Sequence, residues 1–128
     1  MTGIERLHEI MTRLRDPQAG CPWDRIQTLE SLKPCVLEET YELLAAMDKP
    51  DDQVNYVEEL GDLIFSITNL ARHLKVDAES AVELTTAKFS RRFRAVEAAA
   101  KAAGKPLKEM TIGEMEALWE KAKAGGDE

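Results

Sequence analysis

The stretch VLEETYELL, residues 36–44, sets three glutamates into an otherwise apolar helical run. EELGDLI, residues 58–64, repeats the device, with Glu59 twenty positions after Glu39. Carboxylates are costly to bury without partners. What the two segments hold between them decides how the chain folds.

A helix turns about 100° per residue. With Glu39 set at zero, Leu43, Val36, Met47, Thr40 and Leu44 form a stripe centred roughly 70° away. Glu39 borders this stripe, Glu42 stands one step outside it, and Glu38 lies further out. With Glu59 at zero, Leu70, Leu63, Ile67, Leu60 and Ile64 form a stripe centred roughly 80° away. Asp62 and Glu58 then stand where Glu42 and Glu38 stand on the other helix. Packing the two stripes together brings Glu39 and Glu42 opposite Glu59 and Asp62 along one margin of the core.

Four carboxylates converging there repel one another unless neutralised. A hard cation is one answer. All-oxygen donors suit Mg²⁺ or Mn²⁺ rather than zinc, and Mg²⁺ commonly completes its shell with substrate phosphates. Such a site suits phosphate-ester or phosphoanhydride chemistry. A solvated acidic face is the other answer, because single E-x-x-E pairs decorate many surface helices. The geometry alone leaves both open.

Outward from these segments the pattern stays helical. Ile4, Leu7, Ile10, Met11 and Leu14 predict a helix over 3–15. DPQAGCPWD, with two prolines and a glycine, predicts a loop, and a short turn can follow from Thr28. Pro34 suits a first helical turn, so the next helix is expected at about 34–47, with a kinked start near 29 left open. DKPDD is a turn, and Asp51 or Asp52 can cap a helix over 53–74. Asp77 is placed to cap a long helix to about 103, ended by Gly104. TIGE, residues 111–114, reads as a capping box opening a last helix over 112–124. GGDE, residues 125–128, reads as a flexible tail. No strand pattern appears, and the fold class is all-α, one domain over 1–128.

The totals agree with a globular helical protein: 44% hydrophobic and 32% charged residues, with aromatics at 5%. The net charge of −7 argues against a nucleic-acid partner. Residues 38–62 carry nine acids against the single base Lys49, whereas 88–105 carry six bases against the single acid Glu97. These blocks are either solvated faces or, folded together, a grip for a cation and an anion. Cys21 and Cys35 form no zinc pattern and read as reduced thiols. No apolar run approaches membrane-spanning length, and no signal-peptide core precedes the first helix, so a cytoplasmic protein with no membrane partner is expected.

Lys88 and Arg92 are four residues apart and share a helix face. Trp119 and Lys123 are spaced likewise, and Trp119 reads equally as a core plug beside Leu118. Trp23 sits in the CPWD loop, where a large aromatic either caps the core or meets a ligand, with Gln27 beside it. Asn69 lies on the Asp62 flank and is either a hydrogen-bonding group for a sugar or base or an ordinary surface amide. Lys33 is either a phosphate contact or simply exposed.

CPWDRIQTLESLKPCVLEETYELLAAM, followed by YVEELGDLIFSITNLARHL, resembles the MazG family of nucleoside triphosphate pyrophosphohydrolases. The E-E-x-x-E then E-x-x-D pattern is that family's metal motif, shared with the all-α dCTP and dimeric dUTP pyrophosphatases and phosphoribosyl-ATP pyrophosphatase. The resemblance spans about 4–124. It implies a four-helix-bundle-like all-α fold and Mg²⁺ ligation, with Mn²⁺ as substitute, by Glu39, Glu42, Glu59 and Asp62. Glu38 is then either the base for an attacking water or a further ligand. Lys88, Arg92 and Lys123 would meet the triphosphate. Trp23 would stack on the base, with Gln27, Asn69 and Trp119 as further nucleoside contacts. The implied activity splits a nucleoside triphosphate between its α and β phosphates, giving nucleoside monophosphate and pyrophosphate. The implied assembly is a homodimer or tetramer with the nucleotide near the subunit interface. Longer members carry two such domains. This chain joins a first-domain opening to a second-domain ending, KFSRRF and LWEKAK, without the usual His-Pro-His segment. The alternatives are a non-catalytic nucleotide-binding or helical interaction module and phosphoribosyl-ATP pyrophosphohydrolase.

Overall fold

A computed structural model describes residues 2–125. Of the tail expected over 125–128, Gly125 is the C-cap of the last helix, and 126–128 lie outside the described residues. Six helices follow one another: α1 Gly3–Leu14, α2 Pro22–Ile26, α3 Leu29–Ala46, α4 Gln53–His73, α5 Ala78–Ala102 and α6 Ile112–Ala124, with a 3₁₀ turn at Leu107–Glu109 before the last. No strand occurs among the described residues. The helical class expected from the sequence is the class observed.

The chain divides into two compact units, one running through Glu79 and the other from Ser80. The first contains α1 to α4. Its centre is the pairing of α3 with α4, and α1 also packs on α4. The second holds the body of α5, the 3₁₀ turn and α6. There Phe89 stacks on Phe93 (centroids 6.1 Å, interplanar angle 9°) and tilts against Trp119 (5.2 Å, 47°). Val96 and Ala100 are buried alongside.

The caps explain where the helices begin. Thr2 and Glu5 close a reciprocal capping box on α1, and Thr111 and Glu114 close the expected one on α6. Asp52 caps α4 by accepting from the Asn55 amide. At α3 the structure takes the earlier of the two starts left open. Thr28 Oγ1 accepts from the Ser31 amide (3.2 Å) while Ser31 Oγ accepts from the Thr28 amide (2.9 Å), so the helix opens at Leu29. Serine fills the place usually held by glutamate or glutamine. Pro34 consequently lies inside α3, just beyond its first turn. CPWD is corrected: Pro22 occupies the first position of a short helix, where its fixed φ is pre-set and its missing N–H costs nothing.

The ends are equally local. Gly104, at φ +72°, closes α5, with its amide and that of Lys105 donating to Lys101 and Ala100 carbonyls. Lys75 does the same for α4 at φ +60°, with Lys75 and Val76 amides donating to Arg72 and Ala71.

The apolar stripe of α4 needs a correction as well. Glu59, Leu63 and Leu70 are half-buried, but Leu60, Ile64 and Ile67 are exposed, as are Leu44 and Met47 of α3. Among the described residues the buried apolar side chains are Met11, Leu32, Ala46, Val96 and Ala100. The stripe on α4 is wider than the partners that cover it.

Candidate functional site

Glu39 and Glu42 are one turn apart on α3, and Glu59 occupies the matching place on α4. The α3–α4 pairing brings one carboxylate oxygen from each of the three to within 4.8 Å of one another. Glu39 Oε2 and Glu59 Oε2 are buried and receive no hydrogen bond from the protein. Such enclosed, unsatisfied acceptors are costly. Loss of hydration raises the pKa of Glu39, and the charges of Glu42, Asp62 and Glu59 add to the rise. Glu59 is raised in the same way, by lost hydration first, then by Glu42, Asp62 and Glu58.

Asp62 therefore lies within electrostatic reach of the cluster but outside the close trio. Its side chain is one methylene shorter than the glutamates, and it is exposed. Glu38 is exposed on the other side of Glu42, in an open groove of about 420 Å³ with Pro34, Leu37 and Tyr41. Glu39 is half-buried, whereas Glu42 and Glu38 are both exposed.

An all-oxygen donor set with two buried, unpartnered oxygens fits a hard divalent cation. Protein hydrogen bonds do not compensate the assembled charge. A cation coordinated by the trio, with Asp62 beside it, would do so.

The remaining candidates of the first unit sit near α2. Trp23 is 58% exposed. Gln27 is tied into local structure: its Nε2 donates to the Trp23 carbonyl (3.1 Å), and its Oε1 accepts from Ser31 Oγ (2.7 Å). Asn69 was expected on an open flank but is 8% exposed, with its Oδ1 enclosed and unpartnered. The end of α4 is covered by α1, to which Arg72 donates at the Met11 carbonyl. Lys33 pairs with Glu30 at 3.0 Å.

The cationic and aromatic candidates belong to the second unit. Lys88 and Arg92 are half-buried on α5. Trp119 packs on Phe89 and lines a cleft of about 320 Å³ with Phe93, Val96 and Met115. Lys123 pairs with Glu120 at 3.7 Å.

One cluster escaped the sequence reading. Asp24, the last residue of CPWD, is 2% exposed. Arg15 donates to its carbonyl (3.3 Å) and lies 3.6 Å from its Oδ2. The same guanidinium donates to His73 Nε2, which leaves Nδ1 as the donor to the Asn69 carbonyl at 3.0 Å. Burial lowers the pKa of Arg72, while the charge of Asp24 opposes that shift. The signal available in sequence was only the odd placement of an acid beside an aromatic. The partners stand nine to 61 positions apart in the chain.

Residues 27–96 match the family model described as the MazG nucleotide pyrophosphohydrolase domain. The chain belongs to the MazG family. Its MazG region includes all of α3 and α4, and hence the carboxylate cluster. The chain is similar to the nucleoside triphosphate pyrophosphohydrolase of Escherichia coli (strain K12), with 49% identity over 73 residues, 56% of this chain and 27% of that protein. It is also similar to the nucleoside triphosphate pyrophosphohydrolase/pyrophosphatase MazG of Thermotoga maritima, with 44% identity over 93 residues, 73% of this chain and 36% of that one. The chain thus spans roughly a quarter to a third of the length of these curated relatives. Among solved structures it is similar to the mazG-related protein from Thermotoga maritima, with a TM-score of 0.67 at 30% identity, covering 94% of this chain and 98% of that one.

Proposed function

We propose that this MazG chain hydrolyses nucleoside triphosphates at the α–β phosphoanhydride, releasing pyrophosphate and the nucleoside monophosphate. The observation that carries the reading is the trio Glu39, Glu42 and Glu59, with enclosed oxygens that the protein leaves unpaired. Names of similar proteins supply the substrate class: two are nucleoside triphosphate pyrophosphohydrolases.

Glu39, Glu42 and Glu59, with Asp62 beside them, would hold Mg²⁺, for which Mn²⁺ can substitute. The cation would supply charge neutralisation for the phosphates and acidify the attacking water. The chain's own residues do the rest. Glu38, exposed one step outside the trio, accepts a proton from the water that attacks the α-phosphorus. Lys88, Arg92 and Lys123 offer charge-assisted hydrogen bonds to phosphate oxygens as pyrophosphate departs. Trp23 offers an aromatic face to the base. Gln27, Asn69 and Trp119 are the further nucleoside contacts in this reading.

The working form is a homodimer or larger homo-oligomer. Support comes from apolar side chains that one chain leaves open on its central helices, Leu37, Tyr41 and Leu44 on α3 and Leu60, Ile64 and Ile67 on α4. The two cysteines are free, as cytosolic thiols are. No helix among the described residues is long and apolar enough to cross a membrane.

The test is a panel of ribo- and deoxyribonucleoside triphosphates, with and without Mg²⁺, with products resolved as monophosphate and pyrophosphate. Mg²⁺-dependent pyrophosphate release that Glu39→Gln abolishes without loss of helicity is expected. Orthophosphate release, or undiminished activity in that variant, would overturn the reading.

A further inference from the structure

The helix that carries Trp23 has no apolar anchor. α2 is five residues long, too short to hold itself. Trp23 is 58% exposed and Ile26 is 74% exposed. The residue that α2 buries is Asp24. We propose that Asp24 is a positioning residue for nucleoside recognition: held by Arg15, it fixes α2 so that the neighbouring indole is a rigid stacking surface for a nucleobase. The proposal rests on the reading of Trp23 given above.

The geometry supports a fixed mount. Arg15 follows the end of α1, donates to the Asp24 carbonyl and stands 3.6 Å from the buried Asp24 Oδ2, an ion pair without a hydrogen bond. Arg72, on α4, balances the same charge and is itself anchored on the Met11 carbonyl. Arg15 also donates to His73 at the end of α4, so Asp24 is tied through one guanidinium to the ends of both α1 and α4. A buried ion pair is weak evidence for stability, because apolar packing often replaces it without loss. Its better-supported use is to fix one arrangement among several.

The segment leading into α2 is locked as well. Gly20 donates to the Asp16 carbonyl (2.9 Å) and Cys21 to the Leu14 carbonyl (2.8 Å). A Cβ at Gly20 would stand 2.4 Å from the Leu14 carbonyl oxygen, so only glycine fits this closure. Asp16 Oδ1 accepts from the amides of Gln18 and Ala19. Arg25 bonds the Pro17 carbonyl at 2.6 Å. An exposed indole on so constrained a segment has little motion to lose when a base stacks on it, which favours binding.

The kinetics use the full wild-type chain as background, and the fluorescence uses the same chain with Trp119→Phe, leaving Trp23 as the sole tryptophan. Steady-state kinetics on the preferred nucleoside triphosphate are combined with inhibition by inorganic tripolyphosphate, which has no base, and with Trp23 fluorescence anisotropy decay. Asp24→Asn is expected to raise KM about tenfold, the scale of one base–aromatic stack. It should leave kcat within about twofold, leave tripolyphosphate inhibition unchanged, and add fast local motion to Trp23. Arg15→Lys, which keeps the charge but not the length and planar shape of the guanidinium, should do the same. If Trp23→Ala leaves KM unchanged, the reading of Trp23 falls and this proposal with it. If Trp23→Ala raises KM while folded Asp24→Asn and Arg15→Lys change neither KM nor the anisotropy, the positioning role alone is overturned. Parallel weakening of tripolyphosphate, or unfolding of both variants, would also overturn it, because the ties would then support the bundle and not the tryptophan.

Discussion

Glu39 on α3 and Glu59 on α4 face each other with carboxylate oxygens within 4.8 Å, and each keeps a buried Oε2 that the protein leaves without a hydrogen bond. Both carry a raised pKa from lost hydration and neighbouring acids. Each therefore binds its proton more tightly folded than unfolded. The stability this contributes is present below the ordinary glutamate value of 4.5 and is lost as pH rises through the raised folded values. Mg²⁺ requires the ionised carboxylates. The metal-free chain should thus lose thermal stability above about pH 4.5, and Mg²⁺ should restore it increasingly toward pH 8. Melting curves with Mg²⁺ about tenfold above its Kd should show a rise of roughly 4 °C at pH 8 and little at pH 4.5. An effect of Mg²⁺ that shrinks with rising pH would contradict this.

Trp119 packs against Phe89 and so supports the second unit whatever else it touches. Trp119→Ala should lower stability by about 2 kcal/mol, less than a fully buried tryptophan costs because this one is half-exposed. Urea denaturation followed by far-UV circular dichroism measures it. A change confined to nucleotide KM, with stability intact, would show that the ring contact with Phe89 contributes little.

Lys75 holds the left-handed conformation that ends α4. Non-glycine residues pay about 1 kcal/mol there. Lys75→Gly should therefore raise stability by up to about 1 kcal/mol, read in the same denaturation experiment. A loss would mean that the exposed lysine side chain contributes more than its backbone costs.

The open apolar residues Ile64 and Ile67 of α4 are expected to meet a second copy. Ile64→Lys with Ile67→Lys should halve the mass seen by light scattering after size exclusion, with helicity retained, since charging exposed positions costs the single chain little. A wild-type chain already at monomer mass would contradict the assembly.

Much of the first unit was legible because it is governed by local rules. The Asp52 cap of α4 and the shared side of Glu39 and Glu42 on α3 follow from spacing along one helix, as does the Thr111 capping box in the second unit. What escaped had two causes. The α3 start was left between 29 and 34 because Ser31 stands where a longer cap partner is usual, so Pro34 looked like the stronger signal. The role of Asp24 and the burial of Asn69 were not legible because burial depends on contacts from distant segments, with Arg15 and Arg72 meeting α2 and α1 across the fold. The exposure of Leu60, Ile64 and Ile67 shows a third limit: periodicity marks an apolar face without saying which surface covers it.

Direct binding of Mn²⁺ tests the carboxylate centre most simply. Electron paramagnetic resonance of free Mn²⁺ should show saturable binding by the wild-type chain, competed by Mg²⁺. Glu39→Gln and Glu59→Gln, each with unchanged helicity, should weaken it by at least about tenfold. Equal Mn²⁺ affinity in the folded variants and the wild type would contradict the account.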